Sequence, residues 1–185
     1  MVQIKGSIVV DTVRAVKTRA SEEEYAKILS LLNNEARKVF EKEVFSSTWY
    51  SLDDFMNFQK AFIHVLFGRR EEILIRGSEL LFEKQLEGIY KAFIKQGSPE
   101  FLLKRLAAVH QTYYKGVSVE VEMDSACKAT VRYTGFEKQH HLAEYGIIGF
   151  FRKALEISGA KNVAAEFTNK ISAGTGIADL SLTWS

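Results

Sequence analysis

The sequence predicts an α+β fold: an N-terminal helical bundle packed on a small antiparallel four-stranded sheet, with a ββαββ order in the C-terminal part. Three observations carry this reading. Apolar residues recur at helical spacing over much of the first 115 residues, the period switches to two at Gly116, and one amphipathic segment separates two pairs of alternating runs.

"SEEEYAKILSLLNNEARKVFEKEVF" opens with Ser21 and Glu24 at capping-box spacing. Tyr25, Ile28, Leu29, Leu32, Ala36, Val39, Phe40 and Val44 then form one helical stripe, so a single helix is expected. "SLDDFMNFQKAFIHVLFG" repeats the device with Ser51 and Asp54 and stops at Gly68. The third segment, Arg70 to Gln96, is apolar over a wide arc, which suits a central helix and a self-association face. Ser98 and Pro99 begin a fourth helix as N-cap and first helical residue.

Beyond Gly116, Val117, Val119, Val121 and Met123 alternate with Ser118, Glu120, Glu122 and Asp124. "CKATVRY" returns as the second strand of a hairpin with one wet face. "AEYGIIGFFRKALEISG" is a helix with Ala143, Ile147, Phe150, Phe151, Ala154 and Leu155 on its buried stripe, while Gly146 and Gly149 leave room for a close neighbour. A second hairpin pairs "NVAAEFT" with "IADLSLTW", turning Leu180, Leu182 and Trp184 inward. No linker, repeat or low-complexity tract interrupts residues 1–185, so one domain is expected, mainly helical over 1–115 and ββαββ over 116–185.

Composition narrows the function. A net charge of +2, from 25 basic and 23 acidic residues mixed along the chain, gives no basic stripe for nucleic acid. The single cysteine, Cys127, forms no internal disulfide and fits a reducing compartment. "MVQIKGSIVV" lacks the n-region and cleavage site of a signal peptide, and no apolar run reaches the ~20 residues a bilayer needs. The expectation is a cytoplasmic protein without membrane insertion.

Motifs for chemistry are absent. There is no nucleophile elbow, HExxH, Walker sequence or GxGxxG, and "SAGTGIAD" leads into a strand where a phosphate loop would lead into a helix. His140 and His141 are adjacent and diverge by about 100° on a helix, so they read as a solvated helix start. His64 reads as a core-edge residue. Neither catalytic residues nor a metal site are expected, and the chain reads as a non-enzyme.

Several stretches taken together resemble a known group: "IKGSIVVDTVRAV", "SSTWYSLDDF", "GSPEFLLKRLAAVHQTYYKG", and "YGIIGFFRKALEISGAKNVAAEF" with the closing "LSLTW". They are similar to a bacterial family that branches from the ligand-binding superfamily of haem-nitric-oxide/oxygen-binding (H-NOX) domains, vinyl-reductase-type sensory domains and TRAPP transport subunits. The resemblance covers nearly the whole chain. It implies helices on a small antiparallel sheet, with a ligand cavity in several members.

In the haem-binding branch the iron-ligating histidine ends the pattern FLxxLDxLH. "LLKRLAAVH" aligns with it, putting His110 on the ligand position and Ala107 where the aspartate stands. The same branch holds the haem propionates with YxSxR. Here "YTGFE" keeps Tyr133 but has Gly135 for serine and Glu137 for arginine, and a carboxylate would repel the propionates. Helix geometry alone places Leu103, Leu106, Ala107, His110 and Tyr114 along one stripe. The expected pocket is therefore His110, Tyr114, Tyr133 and Phe151, with His110 packing there and no cofactor, haem included. With 13 Phe and 7 Tyr, an apolar small molecule is the expected ligand. The leading reading is a non-enzymatic small-molecule-binding or regulatory sensory domain acting through a protein partner, possible as a homodimer. The alternatives are a scaffold without ligand and a haem gas sensor using His110.

Overall fold

The computed structural model of the protein describes residues 1–86 and 98–185. Its contacts gather into two compact units, Met1–Ile73 with Tyr113–Gly116, and Leu74–Thr112 with Val117–Ser185.

The first unit begins with a strand, β1 (Gln3–Lys5), that turns directly into α1 (Gly6–Arg19). Gly6 sits so close to the carbonyl oxygens of Phe45 and Thr48 that a Cβ there would strike them. β1 lies between β2 (Trp49–Ser51) and β3 (Tyr114–Lys115) in a small antiparallel sheet, with Ile4 opposite both Tyr50 and Tyr114. The periodicity did not reveal this sheet, because two or three residues are too few to establish an alternation. α1 is likewise an addition to the elements expected from the sequence, with Val9, Thr12, Val13 and Val16 forming its buried stripe.

The single helix expected from Ser21 is two helices, α2 (Glu22–Ser30) and α3 (Asn34–Phe40). The Ser21–Glu24 capping box forms as expected. The break falls at Asn33, whose side chain accepts from the backbone N–H of Ala36 at 2.9 Å. Asparagine is a better N-cap than helix-interior residue, and here that preference outweighs the continuous apolar stripe. The guanidinium of Arg37 then donates to the carbonyls of Leu29, Ser30 and Leu32, satisfying the end of α2. α4 (Leu52–Phe67) is capped by Ser51 and ends at Gly68 in the left-handed conformation, as the sequence predicted. His64 is exposed and not at the core edge; its Nδ1 accepts from Arg69 Nε at 3.0 Å.

From Leu74 onward α5 (Ile73–Leu86) belongs to the second unit. The sequence carried this helix, and the self-association face, on to Gln96; residues 87–97 lie outside the described residues. α6 (Pro99–Gln111) starts with Pro99 in its first turn, although Ser98 makes no side-chain cap.

The second sheet has the order β4-β5-β7-β6, antiparallel throughout, from β4 (Ser118–Ser125), β5 (Lys128–Thr134), β6 (Ala164–Asn169) and β7 (Ile177–Thr183). α7 (Ala143–Ile157) falls between the hairpins, so the α+β class and the ββαββ order hold. The period of two turns Val121, Val131, Leu180 and Phe167 to one face in a single cross-strand row. Arg132 and Asp179 pair on the opposite face at 2.7 Å. Leu180, Leu182 and Trp184 are buried although they close the chain.

α7 approaches α5 closely because Gly149 has no side chain; a Cβ there would meet the carbonyl of Ile75. One turn earlier, Ser78 Oγ donates to the carbonyl of Gly146 at 2.6 Å, while the Cβ position of Gly146 is open. Glu79, nearly buried, holds Arg76 at 3.1 Å and Arg152 at 3.5 Å across the same contact.

The two glycines should therefore respond oppositely to alanine. Gly149→Ala forces α5 and α7 apart and should destabilise by ~1–3 kcal/mol, the usual cost of overpacking. Gly146→Ala should gain up to ~1 kcal/mol of helix propensity. Paired urea denaturation curves check both, and equal midpoints for the two variants would refute the contact.

Candidate functional site

α6 brings His110 to the buried side of the second unit. Leu102, Leu103 and Leu106 anchor the helix in the core, and His110, one turn beyond Leu106, follows them inward with 4% of its surface exposed. Gln111, the next residue, ties the helix end to the start of β4: its Nε2 donates to the carbonyl of Val117, and its Oε1 accepts from the N–H of Val119 at 2.9 Å. The position of His110 is thus set from both sides of the helix end.

Among the described residues, the rings of Phe150, Tyr133 and Phe151 stand around the imidazole. Phe150 lies 4.8 Å away between centroids, Tyr133 5.5 Å and Phe151 5.7 Å. Phe150 in turn meets Phe82 at 4.3 Å, and Tyr133 meets Phe136 and Phe167. A polar contact within the cluster joins His110 Nδ1 and the Tyr133 hydroxyl, 3.2 Å apart. Burial in this apolar shell pushes the pKa of His110 down to about 3, so the ring is neutral at any physiological pH.

Of the four residues expected to line a pocket, His110, Tyr133 and Phe151 come together in the second unit. Tyr114 belongs to the first, where it pairs with Ile4 at the edge of the small sheet, and burial raises the pKa of its hydroxyl. The helical stripe that linked Tyr114 to His110 ends because α6 stops at Gln111. Phe150 completes the cluster; the sequence had put it on the buried stripe of α7 without connecting it to His110.

His140 corrects another expectation. It is fully buried where a solvated helix start was expected, and its Nδ1 accepts from the backbone N–H of Glu137 at 3.0 Å. The signal lay in the Glu137-x-x-His140 spacing, a reciprocal cap of a short turn ahead of α7. Among the described residues, no group of three or more His, Cys, Asp or Glu side chains could hold a bare metal ion. No helix among them is long and apolar enough to cross a membrane.

This architecture is an H-NOX-like fold. No protein-family model matches the chain, and no curated protein does. Solved structures match over almost all of it. A point mutant of an H-NOX protein from K. algicida, in the Fe(II) unliganded state, aligns over 98% of this chain and 97% of its own, with a TM-score of 0.72 at 14% identity. An H-NOX protein from S. oneidensis in the Fe(II)NO state aligns over 98% and 99%, with a TM-score of 0.71 at 11% identity. An oxygen-binding H-NOX domain related to soluble guanylate cyclases, solved as its oxygen complex, aligns over 98% and 95%, with a TM-score of 0.66 at 12% identity.

These neighbours correct two expectations. The neighbours include an Fe(II) unliganded state, an Fe(II)NO state and an oxygen complex, which contradicts the expectation of no cofactor. The leading reading, a non-enzymatic small-molecule-binding or regulatory sensory domain acting through a protein partner, is contradicted, because these neighbours accord better with the alternative of a haem gas sensor.

The residues present fit the iron of a haem. Ligation needs a neutral imidazole, which His110 is, and a polar partner on its second ring nitrogen, which Tyr133 supplies. The propionate grip of the related motif does not form from its own positions. The Tyr133 hydroxyl is turned to His110, Gly135 has no side chain, and Glu137 accepts from Gln139 Nε2 at 2.8 Å. Arg132 faces away and is paired with Asp179.

A buried neutral histidine leaves a mark on acid stability. Between pH 6.5 and about 3 the unfolded chain protonates this histidine and the native state does not, so stability falls as pH falls through that window. His110→Phe should flatten that limb of the stability curve relative to wild type. Urea titrations at pH 7, 5 and 4 measure it, and parallel curves for the two proteins would show that His110 is not buried in neutral form.

Proposed function

We propose that this protein is a haem-based gas-sensing domain in which His110 Nε2 is the iron ligand. The observation that carries the reading is the His110 site itself: an imidazole with 4% exposure, neutral through burial, at the end of α6, with its Nδ1 engaged by Tyr133. The end-to-end likeness to H-NOX structures supports it, since a common fold supplies the same helix and sheet around this position. Fold alone does not carry function, which is why the reading rests on the side chain.

The haem would supply the affinity for a diatomic gas. The chain's own residues supply the rest. His110 anchors the iron, Tyr133 orients His110, and Phe150 and Phe151 keep water from the imidazole and hold its ring plane by packing. The propionates would be met by cationic residues outside the Tyr133–Glu137 stretch, since none of the side chains at the motif's own positions is cationic. The protein in this reading is not an enzyme; its output is a change in a surface offered to a protein partner.

Expression in haem-supplemented cells tests this directly. Wild type should purify with a Soret band at about one haem per chain, and His110→Ala should lose most of it. Nitric oxide or oxygen added to the reduced protein should shift the band. A colourless wild type that also fails to take up haem on titration would refute the assignment.

A further inference from the structure

We infer that Tyr133, at the first position of the YTGFE stretch, is the positioning residue of His110 and not part of a propionate grip. The inference rests on the haem reading for its functional consequence, but its structural content concerns only this chain. The Tyr133 hydroxyl lies 3.2 Å from His110 Nδ1, the residue itself is fully buried, and its ring meets the imidazole edge-on at an interplanar angle of 77°. Phe136 and Phe167 pack against the same tyrosine ring, and Val119 and Ala178 flank it across the strands, so the hydroxyl is aimed by a rigid sheet.

The choice of a phenol has a chemical consequence. A neutral imidazole carries one proton, on either Nδ1 or Nε2, and only the form with Nδ1–H presents a lone pair from Nε2 to a metal. A carboxylate or carbonyl beside Nδ1 accepts only and would hold that form permanently. A hydroxyl both donates and accepts. With the proton on Nε2, the Tyr133 hydroxyl donates to Nδ1. Were iron held on Nε2, the proton would sit on Nδ1, and the same oxygen would accept a hydrogen bond from it after the O–H rotates. The buried nitrogen would therefore keep its hydrogen bond to Tyr133 in both states without movement of the ring. A phenol oxygen is also a weaker acceptor than a carboxylate, so His110 is a less electron-rich ligand than a histidine backed by Asp or Glu.

Tyr133→Phe keeps the ring and removes the oxygen. In haem-free protein labelled with 15N-histidine, wild-type His110 should show the shift of a hydrogen-bonded Nδ1, and the variant should lose that signature. In the haem-loaded protein the variant should bind haem about 10- to 100-fold more weakly, the usual cost of removing a metal ligand's supporting partner, and its iron–histidine stretching frequency should move. Tyr133→Phe with wild-type imidazole shifts overturns the inference whatever haem does. Should the variant not fold, the wild-type spectrum decides: an Nδ1 shift without any hydrogen bond in the haem-free protein overturns the inference. If wild type binds no haem, the functional proposal fails, and the nitrogen shifts still decide the role of Tyr133.

Discussion

The second unit depends on how one imidazole is kept inside an apolar core. His110 has 4% exposure amid Phe150, Phe151 and Tyr133, and a charged ring could not persist there. Neutrality is thus a condition of the packing, and the Tyr133 hydroxyl makes the neutral ring tolerable by pairing Nδ1. The same condition makes His110 suitable as a metal ligand. Structure and proposed function draw on one interaction.

The remainder of the unit can be understood as the means of holding that pair. Tyr133 needs a stiff base, and β5 is a central strand, hydrogen-bonded to β4 on one side and β7 on the other. Phe150 and Phe151 need α7 at a fixed height, and the close approach of Gly149 to Ile75, with Glu79 bridging Arg76 and Arg152, sets it against α5. Glu144, at the start of α7, accepts from the backbone N–H of Ser172 at 2.8 Å and so ties the helix to the loop before β7. Charges that would disturb the aromatic cluster are directed outward by strand alternation, as with Arg132 beside Tyr133.

Legibility differed with the kind of signal. The hairpins were readable because six to eight residues of alternation leave little choice of face, and Leu180, Leu182 and Trp184 fell where alternation put them. The three strands of the small sheet, at two or three residues each, had no such signal. Asn33 sits within an unbroken apolar stripe, and its capping preference, which periodicity does not register, breaks the helix there. His140 looked solvated because neighbouring histidines near a helix start usually are; its burial comes from the turn that Glu137 caps.

By itself the sequence determined the α+β class, the ββαββ order, the helix starts at Ser21 and Ser51, and the inward placement of His110, because these follow from local periodicity and capping. Only the tertiary structure decided what His110 meets. Tyr133 is 23 residues away in the chain and Phe150 is 40, and no periodicity spans separate elements. It also decided that Tyr114 lies elsewhere, since a helix that stops at Gln111 no longer carries its stripe forward. The hydrogen bond that the proposed function depends on forms between a helix end and a sheet centre, and their meeting is set by the packing of α6 and α7 on the second sheet.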